Sequence, residues 1–206
     1  MHRVIAYIDG FNLYFGLRAK GWRKYYWLDL MALGRSLLKP GQTLVAAHYF
    51  TARIRADGQS GQDARRQSIY LEALATLPGL TLHEGHYLTK TAQCRQCGAR
   101  WTTYEEKMTD VNIATALLMD AFDDRFDTAL IVSGDSNLTT PLKRVKSRFS
   151  GKRLIVAFPP ARHSDHLRRT ADAAFTIGEQ KLRHSQLADS VVRDDGYVLQ
   201  RPMSWI

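Results

Sequence analysis

The sequence predicts an α/β domain: an open, mainly parallel sheet of about five strands with helices on both faces. Three observations lead there. Short apolar runs alternate along the chain with segments whose apolar residues recur at helical spacing. Two of those runs, Val4 to Ile8 and Thr128 to Val132, are apolar at nearly every position, as strands covered on both faces are. Both end abruptly in polar turns, Asp9-Gly10 and Ser133-Gly134-Asp135, at the edge where open α/β sheets bind ligands.

Val4 to Ile8 is the first strand, and a helix follows from about Asn12 to near Gly21. Asp29 suits a helix N-cap, since its carboxylate accepts from the free N–H groups of a first turn, and Leu30, Leu33 and Leu37 give that helix one apolar face before Pro40-Gly41. Leu44 to Ile54 is the second strand, and the polar residues 56–61 form a loop. Ile69, Ala73 and Leu77 mark a helix closed by Pro78-Gly79, and Leu80 to Leu88 is the third strand. Residues 89–104 read as an insertion. A helix from about Glu106 then turns Val111, Ala114, Leu118 and Phe122 inward, and Thr128 to Val132 is the fourth strand. The next helix aligns Leu138, Leu142, Val145 and Phe149, with Arg144 and Arg148 on its other side, and Leu154 to Phe158 is the fifth strand. Residues 1–178 are thus expected to form the domain, and 179–206 a C-terminal tail packing on it or on a partner.

The balance of 29 Lys plus Arg against 20 Asp plus Glu gives a net charge of +9, which favours phosphate-bearing partners. No apolar run approaches the ~20 residues that span a bilayer, so no membrane role is expected. Two cysteines make no disulfide framework, and a cytoplasmic location is the expectation. No Gly-x-Gly-x-x-Gly or Gly-x-x-x-x-Gly-Lys-Ser/Thr loop follows a strand, which disfavours a nucleotide-binding doubly wound domain.

Asp9 and Asp135 stand at strand ends, and Asp110 falls in or near the first turn of a helix on the same edge. Three converging carboxylates repel one another unless a hard cation joins them, and Mg²⁺ or Mn²⁺ prefers such oxygen ligands. Each acid also has an ordinary use: Asp9 in a turn, Asp110 at a helix start, Asp135 as a cap. Spacing alone leaves both accounts open.

Tyr-Ile-Asp-Gly-Phe-Asn-Leu-Tyr at 7–14, Glu-Glu-Lys-Met-Thr-Asp-Val-Asn-Ile-Ala at 105–114 and Ile-Val-Ser-Gly-Asp-Ser-Asn-Leu at 131–138 resemble the NYN domain of the PIN-like nuclease superfamily. The likeness extends through Asp172-Ala173-Ala174-Phe175 to the closing Arg201-Pro202-Met203-Ser204-Trp205. It implies a Mg²⁺- or Mn²⁺-dependent ribonuclease with Asp9, Asp110 and Asp135 as ligands. It further implies Asn12 as a polar neighbour that holds metal or phosphate, and Ser133 as an assisting hydrogen-bond donor. The family commonly reads Ser-Gly-Asp-Ser-Asp, and here Asn137 replaces the last acid. An amide oxygen still coordinates but brings no charge, which weakens a second ion and keeps alive a non-catalytic RNA-binding or regulatory protein on the same fold. Lys107, one helical turn before Asp110, is a candidate phosphate contact.

Cys94-Arg95-Gln96-Cys97-Gly98 resembles a zinc knuckle, with His86 preferred over His83 as a further ligand because strand alternation separates the two. Free thiols or a transient disulfide are the alternatives. Basic residues gather at 143–153 and again at Arg162, His163, His166, Arg168 and Arg169, the second group following the fifth strand on the edge of the acids. Arg168 and Arg169 are the candidate substrate contacts. Together with Phe11, Tyr14, Phe15, Trp22, Tyr25, Tyr26 and Trp27, which offer stacking surfaces, they point to single-stranded RNA as the partner. A homodimer or a partner protein is compatible with the chain.

Overall fold

An unbroken apolar strand needs cover on both faces, and β1 (His2–Asp9) finds it at the centre of the sheet, with Val4 to Ile8 all buried. The computed structural model describes residues 2–54 and 61–206, and the side chains of these except 88–90 and 102–106. The loop expected at 56–61 falls, Gly61 apart, outside the described residues.

The other strands are β2 (Gln42–Ala52), β3 (Leu80–Gln93), β4 (Arg100–Lys107), β5 (Thr128–Val132), β6 (Arg153–Phe158) and β7 (Ala173–Thr176). They assemble in the order β4-β3-β2-β1-β5-β6-β7, six parallel and β4 antiparallel at one edge. The sheet therefore has two strands more than expected, because the insertion pairs back on β3 and the Ala173–Thr176 segment adds a further parallel strand. β3 runs on past Leu88 to Gln93, so most of 89–104 is a β-hairpin continuing the sheet.

Helices α1 (Gly10–Ala19), α2 (Leu30–Ser36) and α3 (Gly61–Ala75) cover one face with Leu13, Leu17, Leu30, Leu33, Leu71 and Leu74. On the other face, α4 (Thr109–Phe122), α5 (Thr139–Arg148) and α6 (Asp165–Thr170) bury Ile113, Leu117, Leu142, Val145 and Leu167. Asp29 does cap α2, accepting from the Ala32 N–H at 2.8 Å.

Helix α4 differs from the sequence reading in start and in face. The β4 ladder runs to Lys107, and Met108 breaks it with a left-handed φ of 81°, so the helix opens at Thr109. Its buried stripe is Ile113, Leu117, Asp120 and Ala121, while Val111 and Phe122 are exposed. Both stripes are mostly apolar, so periodicity did not choose between them. Asp120 decides, because its carboxylate accepts the buried Tyr7 hydroxyl at 2.7 Å.

Residues 179–206 return to the α1–α3 face as α7 (Glu179–Arg183), a hairpin of β8 (Ser190–Val192) and β9 (Val198–Gln200), and a 3₁₀ turn at Met203–Trp205. Leu182, Leu187, Leu199 and Trp205 are buried in that core. Trp205 packs against Tyr26, Trp27 and Tyr70, and the Trp27 indole donates to the Ala188 carbonyl at 2.8 Å.

Candidate active site at the carboxyl edge of the sheet

The chain enters the sheet at β1, fills one side with β2 to β4, and crosses to the other side with β5. Strand order reverses between β1 and β5, and a crevice forms at such a reversal beyond the carboxyl ends. Asp9 ends β1 there, and Ser133-Gly134-Asp135 follow β5.

Asp9 caps α1 and is buried. Its Oδ1 accepts from the Asn12 N–H at 3.0 Å, and its Oδ2 accepts from the Asn12 amide at 2.7 Å and the Ser133 hydroxyl at 2.8 Å. Three of about four lone-pair positions are thus used. Burial pushes its pKa up to about 6, against the lowering effect of these donors, and the nearby Asp110 charge adds to the rise.

The other acids join Asp9 through single bridging residues. Ser133 Oγ accepts from the Asp135 N–H at 3.0 Å while donating to Asp9. The Asp135 carboxylate accepts from the Asn137 N–H at 2.9 Å, capping the 3₁₀ turn Ser136–Leu138. Asn137 then donates its side-chain amide to Asp110 Oδ2 at 3.0 Å. A hydrogen-bonded thread therefore runs Asp9, Ser133, Asp135, Asn137, Asp110. Asn12 closes it by accepting the Gly134 N–H at 3.2 Å. Asp9, Asn12, Asp110, Ser133 and Asp135 are all gathered by this thread, though no three His, Cys, Asp or Glu side chains among the described residues are grouped closely enough to hold an ion by themselves.

Lys107 is placed differently from the reading as a helical neighbour of Asp110: it ends β4, opposite His86. Arg168 and Arg169 are exposed in the last turn of α6. Of that basic group, Arg162 and His163 pack on the Ser133-Gly134-Asp135 turn: a Cβ built on Gly134 would stand 3.0 Å from the Arg162 Cβ and 3.1 Å from the His163 backbone nitrogen, a tight fit that favours glycine. The Arg162 guanidinium lies over the Phe15 ring at 5.8 Å, and His163 Nε2 is 3.1 Å from Asp165. Pro159-Pro160, which starts the turn carrying Arg162, is the sequence signal that could have singled out this segment. Of the seven aromatics, Tyr25 and Trp27 are core residues, whereas Tyr14 and Phe15 are exposed on α1.

His86 is excluded as a partner of the cysteines. It pairs with Lys107, while Gln93, next to Cys94, pairs with Arg100. Seven residues of extended strand, about 23 Å at ~3.3 Å each, separate His86 from Gln93. His83 is also committed elsewhere: its Nε2 lies 2.9 Å from His48 Nδ1, and its ring stacks on Phe50. Cys94 and Cys97 occupy the hairpin turn, where Gly98 adopts a φ of 72° and its N–H donates to the Cys94 carbonyl at 3.0 Å.

No helix among the described residues is long and apolar enough to cross a membrane. A family profile described as the NYN domain matches residues 3–179. The 6-hydroxy-3-succinoylpyridine 3-monooxygenase of Pseudomonas putida is 28% identical over 179 residues, covering 70% of this chain and 56% of that protein. The chain thus spans little more than half the length of that relative. A crystal structure of a protein of unknown function from Vibrio parahaemolyticus superposes with a TM-score of 0.52 at 20% identity, covering 90% of this chain and 96% of the other, a likeness of fold.

Proposed function

The chain belongs to the NYN domain family, with its PIN-like nuclease fold, and on that premise we propose that it is a metal-dependent endoribonuclease acting on single-stranded RNA at the crevice between β1 and β5. One observation carries the reading. A buried carboxylate, Asp9, is kept at a pKa of about 6 with a second carboxylate nearby, an arrangement that is unfavourable at neutral pH without a cation.

The donors fit a hard cation. They are oxygens throughout: the carboxylates of Asp9, Asp110 and Asp135 with the amide of Asn12 beside them. Mg²⁺ commonly keeps several waters and binds through one or two carboxylates plus substrate phosphate, so an open set of this kind suits it better than a closed cage would. When bound, Mg²⁺ or Mn²⁺ supplies polarisation of a phosphoryl oxygen and a water acidified enough to attack phosphorus. The protein's own part is positional. Asn12 and Ser133 fix the Asp9 carboxylate, and Asn137 fixes those of Asp110 and Asp135. Arg162, whose guanidinium lies over the Phe15 ring at 5.8 Å, is offered to a flanking phosphate and Phe15 to an unpaired base, with Lys107, Arg168 and Arg169 further along the backbone path.

Asn137 also favours a second reading, an RNA-binding or regulatory protein without turnover, because it balances Asp110 with a neutral donor where a further acid would demand an ion. The relative's chemistry on a hydroxypyridine is that protein's own and is not carried over. Incubating a single-stranded RNA pool with wild type, Asp9→Asn and Asp135→Asn, in Mg²⁺, in Mn²⁺ and in chelator, separates the two. Cation-dependent cutting lost in both variants supports the nuclease. Salt-sensitive RNA binding without cutting in any condition replaces it with the second reading.

A further inference from the structure

A cavity of about 300 Å³ opens on the other face of β1 and β2 from the acids, between α1 and α3. Its position follows from Gly10. A Cβ there would stand 2.7 Å from both the Phe50 carbonyl oxygen and the Tyr49 hydroxyl, so the residue after Asp9 lets Tyr49 and α1 close around a hollow. The walls are aromatic: Phe11, Tyr14, Tyr26, Tyr49, Tyr70 and Trp205 all line it. Phe11 meets Tyr87 edge-on across the rim, at 6.0 Å between centroids. Trp205 comes from the C-terminal segment, so the last residues complete the chamber.

Its lining carries three arginines against one acid, Asp63. Arg18 and Arg23 line it, are exposed, and form no ion pair among the described residues, while Arg66, also lining, is paired with Asp63 at 2.5 Å. Arg18 and Arg23 both act electrostatically on the Tyr26 hydroxyl, another lining group. The polar groups inside are largely bound: Tyr70 donates to the Leu28 carbonyl at 2.9 Å, and Gln67 is held by Ile54 N–H and the Ala52 carbonyl. What the slot leaves unmatched is stacking surface and two guanidinium groups. Pockets of this size hold one ring system, and aromatic walls with these guanidinium groups beside them are matched by a planar solute that carries an anionic group.

We propose that this cavity binds a small planar heteroaromatic carrying an anionic group, as a site separate from the carboxylate crevice. A nucleobase with its phosphate and a pyridine ring with a carboxylate share this chemistry. Isothermal titration calorimetry of the full chain with uridine 5′-monophosphate and with pyridine-3-carboxylate, each in EDTA, tests the proposal and distinguishes the sources by which binds more tightly. The expected result is saturable binding of at least one probe, weakened by about tenfold or more in the Arg18→Ala/Arg23→Ala double variant, the loss of a charge-assisted hydrogen bond. Tyr14→Ala, on the exposed side of α1, is expected to weaken it as well. Circular dichroism checks that both variants keep the fold. Absence of binding by either probe, or equal affinity in the double variant, overturns the proposal. Because the titrations contain EDTA, a failed nuclease assay leaves the result standing, and the converse holds too.

Discussion

Replacing Asp9 with asparagine separates the two uses of that residue, helix cap and metal ligand, through stability alone. Burial and the neighbouring Asp110 raise Asp9 from 3.8 to about 6. At ~1.36 kcal/mol per pH unit, ionising it within the fold at neutral pH costs about 3 kcal/mol more than in the unfolded chain. The amide escapes that cost and keeps an oxygen for the Asn12 N–H, but its nitrogen cannot accept, so Ser133 and Asn12 must reorient at a loss of roughly 1–2 kcal/mol. Asp9→Asn is therefore expected to be more stable than wild type by about 1–2 kcal/mol in chelator at pH 7.5, which raises Tm by roughly 2–8 °C for a chain of this size. The pH dependence fixes the sign. A carboxyl whose folded pKa is raised holds its proton more tightly when folded, so wild-type stability falls as pH rises from about 4 to about 6 and is level above that. The variant lacks this slope, so its advantage is lost near about pH 5 and it is the less stable form by roughly 1 kcal/mol at about pH 4. Adding Mn²⁺ is expected to raise wild-type Tm and leave the variant unmoved. Thermal melts across pH, with and without Mn²⁺, give every quantity. A variant less stable than wild type by more than ~1 kcal/mol at pH 7.5 in chelator would show Asp9 to be chiefly a structural cap and overturn its role as an ion-demanding carboxylate.

Three other perturbations test separate parts of the account. Asn137→Asp removes the amide that bonds Asp110 and sets two carboxylates face to face; it is expected to lower stability by about 1–2 kcal/mol in chelator and to tighten Mn²⁺ binding, both read from melts with titrated Mn²⁺. Asp120→Asn weakens the acceptor shared by Tyr7 at 2.7 Å and Arg125 at 2.9 Å and removes the charge 3.2 Å from His48 Nε2, so urea unfolding should show a loss of about 2–4 kcal/mol with the Mn²⁺ response intact. Trp205→Ala empties a buried site packed on Tyr26, Trp27 and Tyr70, and the same measurement should show about 3–5 kcal/mol lost; a change near zero would mean that the C-terminal segment is dispensable.

What could be read in the sequence depended on whether neighbours along the chain or across the sheet decide the outcome. β1 and β5 were legible because strands buried on both faces have no polar alternation to confuse. The Asp29 cap was legible because capping is local. The face of α4 was not, since Asp120 is called inward by Tyr7, 113 positions away. Nor was the pairing of β4 with β3, which turns an insertion into an edge strand and carries His86 far from Cys94. At the site, the strand-end motifs were enough to put the acids on one edge of the sheet, whereas the packing of the Arg162 segment on Gly134 depends on the loop after β6 closing over it.

The bridging thread also changes what Asn137 means. Read as a departure from the family pattern, it is a missing charge. In the fold, its N–H and its amide satisfy two different acids at once, while the Ser133 hydroxyl donates to the Asp9 carboxylate and accepts from the Asp135 backbone N–H. All these donors are neutral, so they orient the carboxylates without cancelling their charge. In a nuclease of the proposed kind, the chain's net charge of +9 would draw in a phosphate backbone, while the carboxylates of the crevice would repel the phosphate to be cut. Attraction of RNA and engagement of the reacting phosphate would then be set by opposite fields. On the proposed reading, only a cation at the acids reconciles them. A carboxylate at position 137 would strengthen the hold on that cation but would leave Asp110 facing a like charge whenever the cation is absent. The amide is the choice that keeps the empty site intact.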